Sequence, residues 1–192
     1  MNFNKRENIV SPDIEKVRRN NERIEKIKSL KTGFQQIAEL ILVLLGEKPA
    51  TDLTIFTDTQ EEISGEEEKL KDIGLKFKKK NQHEKNGRFV AEFSVAGENN
   101  NLNELLKIDP SVDHEKFGLL MGFPPSAVKA FLDKKLMSME DERKILEENP
   151  SIVFSNFRLS QANGQAEIET LRRWSNEIKE AAPDIYQKLK GK

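Results

Sequence analysis

The sequence predicts an α+β domain: a small, mainly antiparallel sheet packed on one side by helices, with an N-terminal helical arm. Three observations carry this expectation. Long stretches place apolar residues at a three-to-four spacing, which is the helical period. Segments of period two cluster between residues 51 and 95, in the middle of the chain. An Asn-Gly pair between two of them signals a hairpin. Strands gathered between helices and joined by a hairpin favour this class over a doubly wound fold.

Composition sets bounds on what the chain can do. Its 192 residues suit one domain over residues 11–192, with 11–46 as the helical arm and 51–192 as the sheet and its helices. Residues 1–10 are polar and predicted to be loose. Apolar residues make up 36% and charged residues 34%, which suits a modest core beneath a heavily charged surface. A net charge of −1 gives no global pull toward nucleic acid or acidic membranes. There is no cysteine, so disulfides, thiolate nucleophiles, iron–sulfur clusters and cysteine-ligated zinc are excluded, and a reducing cytoplasmic setting is expected. The first residues lack the apolar core of a signal peptide. The longest apolar run, residues 37–45, contains Glu39 and falls far short of a membrane span, so no membrane contact is expected.

In chain order, Ser11 reads as an N-cap and Pro12 as the first helical residue. Val17, Ile24, Ile27, Phe34, Ala38, Ile41 and Leu45 form a short, imperfect heptad seam. Gly33 interrupts it, and Thr32 with Gln35 predicts a capping box that restarts a second helix. Residues 46–50 read as a turn and residues 51–58 as a strand. Thr59 with Glu62 caps an acidic helix that Gly74 closes. Leu75 and Phe77 alternate with lysines, and Phe89, Ala91, Phe93 and Val95 alternate with polar residues. These predict a hairpin with a loop of several residues over 81–87. A short helix ends near Ile108. Ser138 with Asp141 caps a helix that stops before Pro150. Ile152, Val153, Phe154, Phe157 and Leu159 read as a last, central strand. A closing helix places Ile168, Leu171, Trp174, Ile178 and Ala181 on one face, and Ile185, Tyr186 and Leu189 add a packed turn after Pro183.

The most sharply patterned stretch is residues 117–131, FGLLMGFPPSAVKAF. Asp113 is placed to cap its first helix. Gly122 sits where a left-handed residue ends that helix. Phe123 precedes a proline and cannot continue it. Pro124 makes the corner, and Pro125 fits the first turn of the next helix. Val112, Phe117, Leu119, Leu120 and Met121, then Val128, Phe131, Leu132 and Leu136, form apolar faces at helical spacing. These faces predict a helix–corner–helix core element. In the alternative reading, Phe123, Pro124, Pro125 and Ser126 form an exposed recognition edge.

This corner resembles the G-[FY]-P-x-C-C-V-x-x-F pattern of small, uncharacterised archaeal and bacterial proteins. Gly122, Phe123, Pro124, Val128 and Phe131 match it, and Ser126 and Ala127 stand where its cysteines fall. The later apolar segment and Trp174 fit the same family arrangement, so the resemblance covers about the C-terminal 80 residues. It implies no particular activity, and any cysteine chemistry of that family is lost here.

Candidate chemistry is sparse. His114 opens the helix before the corner and is the one catalytic candidate, a neutral base or acceptor at a helix N-terminus; the competing reading is a helix-end histidine bonded to a neighbour. His83 falls in the expected hairpin loop and is expected to be exposed. No metal site or cofactor is predicted, and zincin, P-loop, dinucleotide and nucleophile-elbow motifs are absent. Lys76, Lys78, Lys79, Lys80, Lys85 and Arg88 make a basic hairpin, either a solvated edge or a nucleic-acid surface. Phe77 is expected to point into the core, away from Lys76, Lys78 and Lys80. The favoured function is a non-catalytic interaction or regulatory protein. Its surfaces would be the corner and the N-terminal helices, meeting another protein or a second copy. The alternatives are an enzyme with a pocket near His114 and nucleic-acid binding through the hairpin.

Overall fold

The computed structural model describes residues 12–191, with side chains from Arg18 onward. The expected loose segment, the Ser11 cap and the Val17 side chain lie outside the described residues. In chain order the elements are α1 (Pro12–Lys28), α2 (Phe34–Leu45), β1 (Ala50–Thr57), α3 (Gln60–Ile73), β2 (Lys76–Lys85) and β3 (Arg88–Ala96). Helices follow as α4 (Asn99–Leu105), α5 (His114–Leu120), α6 (Pro125–Leu132), α7 (Met139–Glu148), α8 (Gly164–Ala181) and α9 (Pro183–Lys190). The architecture is α+β, with a three-stranded antiparallel sheet in the order β1-β3-β2. Among the described residues no helix is long and apolar enough to cross a membrane.

Alternation along the strands divides the sheet into two faces. Leu53, Ile55, Ala91, Phe93 and Val95 face the main core, together with Ile37, Leu40 and Ile41 of α2 and Ile63, Leu70 and Ile73 of α3. Phe77 follows them, its ring edge-on to Phe93 at 6.0 Å, as expected. Trp174, Ile168, Leu171 and Ile178 of α8 complete this core with Ile185 and Leu189 of α9. The second face is not bare. At one end Ala50 and Ala96 are covered by Leu102 and Leu105 of α4, with Phe117 and Leu120 of α5 packed behind. The expectation of helices on one side only is corrected to that extent.

The helical arm is two helices, and its seam is occupied within the chain. Ile24, Ile27 and Leu30 are buried in the main core. The break between α1 and α2 is not the expected capping box. Gly33 is the N-cap of α2 and makes no side-chain cap. The Thr32 hydroxyl donates instead to the Thr54 carbonyl at 2.7 Å, and Phe56 N–H donates to the Lys31 carbonyl at 3.0 Å. This turn therefore seals the outer edge of β1, an edge that would otherwise invite pairing.

Two further expectations are corrected. The hairpin loop is two residues, Asn86 and Gly87, both left-handed at φ 54 and 73. This is the backbone of a tight hairpin turn, which Asn-Gly favours. Residues 81–85 are polar because β2 is an exposed edge strand, not because they are loop. Residues 152–159 are not a sheet strand. Their only ladder partner among the described residues is the turn after α6, through the Leu136–Ser160 bridge and the Met137 N–H to Leu159 carbonyl bond of 2.8 Å. Phe154, Phe157 and Leu159 are buried because the extended segment packs on α8, with Phe154 and Phe157 against Trp174. A short run apolar on both faces fits that position as well as a central strand. The central strand is β3.

The caps at Thr59 and Ser138 form as read. Thr59 accepts from Glu62 N–H at 3.4 Å, and the Glu62 carboxylate reaches back to Asp58 N–H at 3.0 Å. Ser138 accepts from Asp141 N–H at 3.1 Å. At Gly118, the contact between α5 and α6 leaves no room for a Cβ, which would lie 2.8 Å from Val128 Cγ2. Gly118→Ala is expected to destabilise by about 1–3 kcal/mol through overpacking. Adding Val128→Ala recovers part of the loss in urea melts, since the clash is with that side chain alone.

Candidate functional site

The corner is fastened from below and turns as its sequence implies, but Asp113, at the N-cap position of α5, makes no side-chain cap among the described residues, which corrects that expectation. Gly122 is left-handed at φ 78, and a Cβ there would meet Lys48 Cγ and Pro49 Cδ at 3.3 Å. Both the backbone angle and the close approach require glycine. Gly122 N–H donates to the Leu119 carbonyl and Phe123 N–H to the Gly118 carbonyl, each at 3.0 Å, closing α5. Pro124 is extended, and α6 starts at Pro125. On the approach to α5, the Asp109 carboxylate accepts from Ser111 Oγ at 2.6 Å and Ser111 N–H at 2.9 Å. These bonds hold its pKa below the usual value.

Beneath the corner lies a buried ion pair that the sequence does not announce. The Lys48 side chain is 0% exposed, and its Nζ is 3.0 Å from Glu39 Oε2. Thr51 Oγ1 donates to the same carboxylate oxygen. The ammonium also lies 5.4 Å from the Trp174 ring and 5.8 Å from the Phe123 ring. Burial lowers the Lys48 pKa, and the Glu39 carboxylate opposes that shift. Phe123, Phe157 and Trp174 form a chain of rings, with 5.8 Å between each successive pair of centroids.

Phe123 and Phe157 are shared with a cleft of about 310 Å³ on their other side. Phe117, Val128, Phe131 and Leu136 also line it, with His114, Asn156 and Arg158 as its polar members. Arg158 is already engaged: Nε pairs with the buried Glu142, and Nη2 donates to the Met137 carbonyl at 2.9 Å. Asn156 Oδ1 is buried and has no hydrogen-bond partner among the described residues. His114 is exposed, with its ring edge-on to Phe131 at 5.6 Å.

The candidate residues of the corner therefore part company. Phe123 and His114 border the cleft, while Pro124 and Pro125 form the turn into α6. Ser126 faces inward elsewhere. Its hydroxyl donates at 2.6 Å to Glu167 Oε1, a carboxylate 1% exposed that also accepts from Ser160 Oγ at 2.8 Å and Ser160 N–H at 2.7 Å. The expected apolar core face of α5 and α6 is corrected as well. Gly118, Ala127, Val128 and Ala130 are buried, but Phe131 is 52% exposed and Leu119, Leu132 and Val112 are exposed too. The small residues let the two helices meet closely, which turns the large ones outward.

The basic hairpin also divides. Lys79 turns toward α3 and pairs with Glu67 at 2.8 Å. Lys80 pairs with Asp52 at 2.9 Å, and Arg88 with Asp58 at 3.6 Å. Lys76, Lys78 and Lys85 are exposed. Among the described residues no group of three or more acidic or histidine side chains is placed to hold a metal ion. Compared with known protein families, curated proteins and solved structures, the chain matches none.

Proposed function

We propose that the chain is a non-catalytic binding protein that docks another protein through α5, the corner and α6, with one apolar side chain of the partner seated in the cleft. One observation carries this reading. Of the seven large hydrophobic side chains exposed among the described residues, five fall between Val112 and Met139, and Phe131 is one of them and lines the cleft. Exposed apolar side chains concentrated in one stretch of the chain, one of them lining an apolar cleft, support an interaction site there, since singly scattered ones carry no such meaning. The cleft's few polar groups support docking over catalysis: Arg158 is held by Glu142, and no hydrogen bond orients the His114 imidazole among the described residues. The N-terminal helices are a weaker surface, because their seam is occupied in the core. A cysteine-free chain suits a reducing cytoplasmic setting for this role.

The ring chain supplies a reporter. Trp174 is the single tryptophan, and anything entering the cleft presses on Phe123 and Phe157, which lead to it. N-acetyl-phenylalanine amide, a mimic of an apolar anchor, is expected to change Trp174 emission saturably, with a Kd on the order of a millimolar. Phe131→Asp removes the response. No saturable change, or an equal change in the variant, would count against the cleft as an anchor site.

A further inference from the structure

The open face of the sheet carries an arrangement that the corner reading does not use. Phe56, Val90 and His83 are direct partners across β1, β3 and β2, so all three project from the face opposite Leu53 and Phe93. Phe56 is 40% exposed and His83 is exposed, while Val90 between them is buried. Two rings on the outer strands thus flank a closed apolar centre. The next pair toward the hairpin turn is Lys85 with Arg88. On the other side come Asn81 and Glu92, then Lys78, which partners Ser94, and Lys80 at the register shift. Among the described residues no ion pair is formed by Lys78 or Lys85, whereas Lys80 and Arg88 are shared with Asp52 and Asp58. Asp52, Asp58 and Glu92 are the acids of this patch, so its cations, Lys78, Lys80, Lys85 and Arg88, exceed them by one. A covering protein would have to bury these lysines, and pairing two copies through β2 would set lysine against lysine.

We propose that this face binds single-stranded nucleic acid, with one base stacked on Phe56, a second on His83, and the phosphates between Lys78, Lys85 and Arg88. Stacking on exposed rings beside a cationic track is the sequence-tolerant mode of single-strand binding. The small excess of positive charge sets the strength: Kd on the order of 10–100 μM at moderate salt, with two or three phosphates neutralised. The site lies on β1, β2 and β3, and it stands or falls independently of the cleft.

The test is anisotropy of a fluorescently labelled oligouridine, repeated with oligothymidine, with a duplex of equal length, and with heparin. The expected result is binding of both single strands that weakens with salt and exceeds duplex binding. Phe56→Leu, which keeps the apolar volume, is expected to weaken single-strand binding about tenfold, while Phe56→Tyr retains it. Lys85→Gln is expected to reduce the salt slope by about one. No binding at low salt overturns the proposal. So does binding that Phe56→Leu leaves unchanged, or that duplex and heparin match, since either would be attraction of a polyanion to lysines alone.

Discussion

Lys48→Met is expected to lower stability by about 3–5 kcal/mol, because it leaves the Glu39 carboxylate in the core with Thr51 as its remaining partner. A domain of this size has only about 5–15 kcal/mol in all, so the variant stands near the edge of folding. Glu39→Leu is expected to be similarly damaging, since it strands the ammonium between Phe123 and Trp174. The double variant Lys48→Met/Glu39→Leu should recover most of the loss, because a buried pair replaced whole by apolar groups is often neutral. Urea melts read on far-ultraviolet dichroism complete the double-mutant cycle.

The same pair carries a pH signature. Burial lowers the folded pKa of Lys48 below its ordinary value of 10.5. Between the folded value and 10.5 the unfolded chain binds more protons, so this group makes stability rise with pH across that window. Below the window the amine is charged in both states, and the full desolvation penalty is present. Lys28 and Lys71 shift the opposite way, each raised first by a side-chain hydrogen bond to a glutamate, and they lose stability only above their ordinary range. The difference between wild type and Lys48→Met isolates the Lys48 contribution. It should widen in favour of wild type as pH climbs toward 10.5. A flat difference would mean that water reaches the amine.

Glu167→Ala is the second large expected effect, again about 3–5 kcal/mol. It orphans the hydroxyls of Ser126 and Ser160 and the Ser160 N–H, and each unsatisfied buried group costs about 1–3 kcal/mol before relaxation. The physical loss is a joint, because Glu167 ties the start of α6 and the end of the extended segment to α8. Glu167→Gln keeps the shape and one strong acceptor, so it should cost less than half as much. Ser126→Ala removes one donor and should cost about 1 kcal/mol. If Glu167→Ala cost less than Ser126→Ala, the three bonds would not form one joint.

The parts of this fold legible in the sequence are those set by neighbours in the chain. Thr59 with Glu62, Ser138 with Asp141, the Gly122 corner and the Asn86-Gly87 turn each carry their own local instruction. The face of Phe56 was also within reach, since strict alternation sets it opposite Leu53 and Ile55. What stayed hidden depends on partners far along the chain. Lys48 sits in a short turn and reads as surface, and nothing local says that Trp174 lies over it. Glu167 reads as a first-turn helix acid until α6 brings Ser126 to it. Residues 152–159 look like a strand because burial between helices leaves the same apolar run as burial within a sheet. Leu119 and Phe131 look like core because helical spacing cannot tell which side a close α5–α6 contact will exclude.

A partner protein seated on the cleft and the exposed side chains of α5 and α6 would lie within reach of Phe131. The most direct measurement is photo-crosslinking in the expressing cell, with benzoylphenylalanine at position 131 and, as a control, at Asp72, which is exposed on α3. A discrete heavier band is expected from position 131 alone, lost when Leu119 and Leu132 are also changed to serine. No band from position 131, or the same bands from both positions, would contradict docking at this surface.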